Sequence, residues 1–543
     1  RALPGVLAVY TGADYAQDGL GMPKAVMPRK RPDGSPMFAP QRPAIVVDRV
    51  RYVGDPVAFV VAESVAQAKD AAEAIVVEYE TLPSATATYE SAQPGAAPVW
   101  DECPDNISNI FEKGNKAATE AAFAKAARIV RRRYTISRVH AQYMEPRGAL
   151  GVYDDGDERY TLYADCQYPH RVRQMLATSV FRIPESKLRV VAGDVGGGFG
   201  TKGWQYVEHR LVLWAAKKLG RPVKWTCERS EAILADEHAR DSVSDIELAL
   251  DETNKFLGLR LNLIANTGAY VGSDRNLLVP GLMIGTVAGV YHIPAAYTLI
   301  THVLTNTSPT APYRGAGRPE AIYLIERLID DAARELGVDR LDLRRRNMIT
   351  TAQMPYQNPL GCYYDSGDFP SNLDIALRAS NYDDFETRRA QSLANGKLRG
   401  IGVANAIEQS ASPAQSEYAE IRFDTSGTAQ LLMGTKNQGQ GHETTYKQIL
   451  NERLGVDPND VVFTDGDTDR VAFGMGTNGS RSTVVGGSAI HFAAEKIVEK
   501  AKRIAAHLLE TSVDDLDFAS GRFTVRGTDK SITLKQTAQA AFT

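Results

Sequence analysis

Apolar positions along this chain switch between the two-residue spacing of strands and the three-to-four-residue spacing of helices. Short β-branched or apolar runs at 5–10, 44–48 and 56–62 predict strands, the last two joined by the turn-prone Tyr52-Val53-Gly54-Asp55. Ser64 with Gln67 gives a capping-box pattern ahead of a helix over 66–74, and 75–79 returns to strand composition. Residues 84–118, rich in Ala, Pro, Ser, Gly and Asn without a period, predict a connecting segment and a boundary near 95. Beyond it a strand over 188–192, a glycine-rich loop over 193–203, a helix over 205–219 closed by Gly220 and a strand over 223–226 place a loop at a helix N-terminus. Pro319 opens a helix whose Ile322, Ile325, Leu328, Ile329, Ala332 and Leu336 form one stripe; Asp330, Asp331, Arg334 and Glu335 read as its solvated face, and Gly337 ends it. After Leu398, strands over 417–423 and 429–433 alternate with helices over 443–454 and 488–509, which predicts a second large α/β layer. The first residue is Arg1, running straight into a strand pattern, and the last residues break off in a helix-like run, so a chain cut at both ends is expected.

Composition narrows the function classes. At 543 residues, 43% hydrophobic and 24% charged, the chain is long enough for several cores and two or more domains. Lys plus Arg number 62 against 66 Asp plus Glu, a formal charge of -4, so no global field draws it to nucleic acid or anionic lipid. The longest apolar stretch, 277–291, contains Pro280 and three glycines and is shorter than the ~18 residues that suggest a membrane span, so it reads as buried core. Cys103, Cys166, Cys227 and Cys362 lie far apart with no C-x-x-C pair, which argues against zinc ribbons, iron-sulfur ligation and a disulfide framework.

The run Gly196-Gly197-Gly198-Phe199-Gly200-Thr201-Lys202 lets backbone N–H groups approach an anion, but it fits neither common nucleotide loop. The dinucleotide fingerprint fails at Thr201, and a Walker A loop fails because Thr201 separates Gly200 from Lys202. Alone it is equally an anion site or a tight turn. His442-Glu443 begins like a zinc-protease helix, yet Tyr446 stands where the second histidine belongs. Asp465, Asp467 and Asp469 imitate a calcium loop, but Arg470 and Gly476 occupy its glycine and glutamate positions, leaving a solvated acidic turn as the expectation. No G-x-S-x-G elbow occurs, and His170, His209 and His302 lack ligand spacing and read as structural. One composition repeats: 196–202, 313–318, 438–442 and 477–483 are dense in Gly, Gln, Ser, Thr and Arg. Four converging donor loops suit a large anionic ligand with a pyrophosphate.

Together these segments resemble the molybdenum hydroxylases, the molybdopterin-binding large subunits of the xanthine dehydrogenase and aerobic carbon monoxide dehydrogenase family. The likeness also rests on Leu3-Pro4-Gly5-Val6, on 50–57, on Met144-Glu145-Pro146-Arg147, on 311–320 and on Leu341-Asp342-Leu343-Arg344 with Asn347. It implies an α+β chain: an α/β hammerhead-like domain over 1–95, a connecting segment over 96–130, a molybdenum-cofactor-binding α/β domain over 131–370 and an incomplete second one over 371–543. It implies that the metal hangs from the pterin dithiolene, with no ligand from the protein. Gly197, Gly198, Phe199 and Gly200 would bring backbone to the metal side, with Arg314 on another wall; Phe199 and Arg314 would stand at the reacting centre. Gln438, Gln440, Gly441, Thr477, Gly479, Ser480, Arg481 and Ser482 would bind the pterin and its tail, as molybdopterin cytosine dinucleotide. Electrons would leave through an iron-sulfur small subunit and a FAD-binding medium subunit, in a dimer of heterotrimers without a transmembrane segment. A cytoplasmic location is expected, with export alongside a partner left open.

The chain departs from these relatives where substrate is chosen. Carbon monoxide dehydrogenases place a copper-binding cysteine where this sequence has Gly315. Purine hydroxylases carry a phenylalanine where it has Ala316 and a glutamate where it has Gly203. Gly315 and Ala316 would line a pocket for an aldehyde or N-heteroaromatic substrate. The family's closing Gly-x-Gly-Glu, whose glutamate is the general base, is absent and expected beyond Thr543; Glu145 and Glu208 are not taken as substitutes. Two other readings remain: a catalytically silent cofactor-binding or assembly protein, and a nucleotide-binding enzyme using 196–202.

Overall fold

The computed structural model describes residues 1–25, 30–279, 285–411 and 416–542. Strands Val6–Thr11 and Ala58–Ala62 pair antiparallel, and helix Val65–Glu73 follows with the Ser64 hydroxyl accepting the Gln67 N–H, as the capping pattern predicts. The 44–48 run is not a strand. Ala44 and Ile45 instead plug a small core with Tyr15, Leu211 and Trp214, and the prolines at 40 and 43 remove ladder donors on its N-terminal side. The 75–79 run is also irregular, with Val76 and Tyr79 exposed, because no described strand lies beside it to pair.

The expected connecting segment is a correction of another kind. Strand Ile107–Gly114 forms the edge of a five-stranded sheet and helix Lys116–Ala124 packs on it, so 96–130 is largely built into the core layer. Its Ala, Asn and Ser hid the pattern: Ser108 and Asn109 are buried polar residues in that strand. The sheet continues through Ala295–Leu304, Phe256–Gly268, Ala239–Leu250 and Arg128–Val139. Helix Arg318–Leu336 covers it, with Leu324, Ile325, Leu328, Ile329 and Ala332 fully buried. Part of the 277–291 stretch enters this core, while 280–284 lie outside the described residues.

A four-stranded sheet, Leu188–Val191, Arg159–Ala164, Gly148–Asp154 and Val223–Thr226, is covered by helix Val207–Leu219, which ends at left-handed Gly220. In the last third, Ala419–Phe423, Ala429–Met433 and Val461–Thr464 form a sheet under helices His442–Leu454 and Gly487–Leu508. The two halves are stitched at one seam: the Ala192 N–H donates to the Gly466 carbonyl at 2.8 Å, and Arg189 pairs with Asp467 at 2.6 Å. The solvated acidic turn expected at Asp465, Asp467 and Asp469 therefore holds only for Asp469, which is exposed. Asp467 is buried, and Asp465 pairs with Lys436 at 3.1 Å.

Candidate functional site

The 196–203 loop runs from strand Leu188–Val191 into helix Val207–Leu219 and is shaped by what presses on it. A Cβ at Gly198 would stand 2.6 Å from the Gln167 side-chain oxygen; one at Gly200, whose φ is +108°, would overlap the Pro312 carbonyl. Gln167 holds the loop as a two-ended brace, its Oε1 accepting the Gly200 N–H at 2.8 Å and its Nε2 donating to the Thr477 carbonyl at 3.1 Å. Glu145 accepts the Gly196 N–H at 2.7 Å and the Lys202 ammonium at 2.8 Å. Lys202 is buried, pairs with Asp165 at 2.5 Å and lies 4.7 Å from the centre of the Tyr143 ring. Burial pushes the Asp165 carboxyl up, with Lys202 pulling against it. The cation that a nucleotide loop would send to phosphate is here committed to the interior, which removes the ATP-type reading of 196–202.

The 313–318 loop lies against the first. The Arg314 N–H donates to the Phe199 carbonyl at 2.9 Å, and the Arg314 guanidinium stands 5.9 Å from the centre of the exposed Phe199 ring. Behind it, Arg240 donates to the Arg314 carbonyl at 2.9 Å and forks onto both Glu320 oxygens at 2.8 Å. Gly315 has φ +87°, and a Cβ there would stand 2.6 Å from Pro319 Cδ, so this turn excludes any side chain.

Two loops of the last third close the site. Thr477 Oγ1 donates to the Lys436 carbonyl at 2.6 Å and accepts the Lys436 N–H at 3.1 Å, tying 477–482 to 436–442. The Thr477 N–H donates to the Gln167 carbonyl at 3.2 Å, and the Ala411 N–H reaches the Gly479 carbonyl at 2.9 Å. Arg481 is buried in an ion pair with fully buried Glu417 and donates to the Gly476 carbonyl at 3.1 Å. The forked guanidinium read from the sequence as a tail ligand thus braces its own loop, and the Thr477 hydroxyl does likewise. Gln438 is buried, with Nε2 on the Lys436 carbonyl at 3.2 Å, and its N–H donates to the Gln440 side chain. The Ser482 hydroxyl lies 3.4 Å from that of Thr477.

All four loops therefore meet. What they leave facing outward is mostly backbone: among the described residues, the N–H groups of Gly198, Phe199, Gly439, Gln440, Gly441, Gly479 and Ser480 have no acceptor. Gly198 is buried, and an unpaired N–H there is costly unless a ligand completes it. Three loops each hold one non-glycine residue in the left-handed region, Phe199 at φ +53°, Ala316 at +43° and Ser480 at +55°, and such strain gathers at functional sites. Sequence reasoning missed Gln167, Lys436 and Asp465. A lone Gln or Lys carries no spacing signal; only the meeting of distant loops shows its use. Glu145 and Glu208 are both held by cations, Glu208 by Arg147 at 2.8 Å. Burial would raise the Glu208 carboxyl, but Arg147 outweighs it and holds it low, a poor setting for a base.

Residues 99–348 and 375–543 each match a molybdopterin cofactor-binding domain, and residues 1–83 match the aldehyde oxidase and xanthine dehydrogenase a/b hammerhead domain. The carbon monoxide dehydrogenase large chain of Hydrogenophaga pseudoflava is 36% identical, over 97% of this chain and 68% of its own length. The solved structure of a Cu,Mo-CO dehydrogenase superposes with a TM-score of 0.90 at 33% identity, covering 99% of this chain and 70% of that one. Quinoline 2-oxidoreductase from Pseudomonas putida 86 gives a TM-score of 0.90 at 33% identity, covering 100% and 69%. No described helix is long and apolar enough to cross a membrane. The converging loops, both cofactor-domain matches and these likenesses, which span nearly all of this chain, agree: the chain belongs to the molybdenum hydroxylase family, as one of its molybdopterin-binding large subunits.

Proposed function

We propose that this subunit carries its molybdenum as molybdopterin cytosine dinucleotide and hydroxylates an aldehyde or an N-heteroaromatic compound with oxygen from water. Gly198, Phe199 and Arg314 would border the metal side, and the free N–H groups of 439–441 and 479–480 would take the pterin and its pyrophosphate tail. The residues fit such a group: a buried unpaired N–H at Gly198 and a row of unpaired backbone donors match an oxygen-rich anion better than a cation or an apolar ligand. Bound there, the cofactor supplies a metal that activates water-derived oxygen and accepts the electron pair of the substrate's C–H bond. The chain orients: Gln167 and Thr477 fix the spacing of the two halves, and Arg240 fixes the turn that presents Arg314.

One observation carries the substrate class. At 315 the turn is closed against Pro319, and Ala316 presents a methyl, so neither of these two positions offers a thiolate or an aromatic ring to the pocket. Cys362, whose thiol burial raises, is engaged by Gln409 at 2.9 Å and is no replacement. Copper-assisted carbon monoxide oxidation lacks its ligand, and a flat or carbonyl-bearing substrate gains room. Because the four cysteines are buried and apart, electron carriers are assigned to an iron-sulfur small subunit and a FAD-binding medium subunit. The test is purification of the full gene product with its neighbours. Molybdenum, acid-released CMP and dye reduction with benzaldehyde or quinoline, but not with carbon monoxide, are expected. A molybdenum-free preparation retaining adenine nucleotide overturns the reading.

A further inference from the structure

Immediately C-terminal to the 196–203 loop, a small cavity of about 30 Å³ is lined by Arg42, Trp204, Gln205, Arg210, Glu237 and Asn276, among others. Its charges do not balance. Glu237 is its single lining carboxylate and is taken by Arg275 at 2.9 Å. Arg210 is 1% exposed and has no carboxylate within ion-pair distance; its Nη1 donates to the Arg42 carbonyl at 3.2 Å, and its Nε has no acceptor. The contrast with the other buried arginines is direct. Arg147 meets Glu208 and Asp236, Arg344 meets Glu326 and Asp330, Arg481 meets Glu417, Arg275 meets Glu237 and Arg318 meets Glu408; among the described residues only Arg210 is buried without an acid. A buried unpaired charge is among the costliest features a fold can hold. Burial has pushed Arg210 down to about 10, so it still carries its charge at neutral pH. Arg42 adds a second guanidinium to the same wall, with its own Nε unpaired.

We propose that this cavity is a binding site for the carboxylate of a small organic acid, with Arg210 as the main anchor and Arg42 beside it. A planar fork matches a carboxylate edge, which favours this group over a spherical halide. Glu237 on the same wall penalises a second negative charge, which favours a monoanion over phosphate or sulfate. Trp204, Met175 and Val207 give the acid's apolar body a surface. The site is independent of the proposed reaction and is read without turnover, so failure of one does not decide the other.

The experiment uses the complete enzyme with its partner subunits and titrates sodium acetate against sodium chloride at constant ionic strength, following the melting temperature and tryptophan emission. A saturable rise in melting temperature with acetate, absent with chloride, is expected. In Arg210→Met the acetate response should disappear while the acetate-free melting temperature stays level or rises, because an uncompensated charge has been removed; a merely structural arginine would instead lower it. Arg210→Lys should bind acetate at least tenfold more weakly. If Arg210→Met does not fold, Arg42→Met should weaken acetate at least threefold. Equal responses to acetate and chloride, or an acetate response unchanged in these variants, overturn the proposal.

Discussion

The 196–203 and 476–482 loops offer the same thing, outward backbone N–H groups, and differ in how far contact or charge shapes them. In the first, contact shapes the part that faces the ligand: Gly198 and Gly200 fit under Gln167 and Pro312 where no Cβ would, Glu145 and Gln167 take the Gly196 and Gly200 N–H groups, and the Lys202 ion pairs anchor only the far end. The second is held by charge, with Arg481 and Glu417 sealed from water inside the turn. Packing fixes a shape to tenths of an ångström, whereas an ion pair fixes a direction and makes the loop depend on one partner. Gln167 joins them, so a failure on one side reaches the other.

The largest effect should come from the charged side. Glu417→Gln leaves Arg481 buried without its acid and should cost about 3–5 kcal/mol, read as a drop in melting temperature with loss of bound molybdenum. On the packed side, Gly200→Ala adds both left-handed strain and overlap with Pro312, about 3 kcal/mol together, whereas Gly439→Ala, at φ +100° with open space around its Cβ, should cost only about 1 kcal/mol. Equal losses for the two alanines in denaturant unfolding would mean that packing does not distinguish them. Gln167→Leu cuts the brace and should cost about 2 kcal/mol while releasing cofactor more than its stability loss alone explains; equilibrium dialysis against a chelator measures this. The smallest effect lies at the seam. Burial raises the Asp467 carboxyl, but Arg189 more than offsets it, so its folded pKa lies below the ~3.9 of an unfolded aspartate. Its contribution is in place above pH ~4 and is lost as pH falls below that, so the stability gap of about 1 kcal/mol between wild type and Asp467→Asn should close on acidification.

Much of the framework is legible in the chain. Helices Val65–Glu73, Val207–Leu219 and Arg318–Leu336 follow from caps, stripes and terminal glycines because those signals are local. The strand Ile107–Gly114 is not legible, since it buries the polar Ser108 and Asn109, and Ser108 is satisfied only by a neighbour far along the chain, its Oγ donating to the Phe38 carbonyl at 2.8 Å. The acidic run at 465–469 misled for the same reason: its cations, Arg189 and Lys436, are brought by folding. Sequence by itself determined which segments are glycine- and amide-rich donors, because composition and turn chemistry are properties of neighbouring residues. Only the tertiary structure decided which donors stay free for a ligand and which side chains are used up inside, because that depends on which distant partner arrives first at each polar atom. Arg314 and Arg481 look alike on paper, yet only Arg481 meets a buried acid.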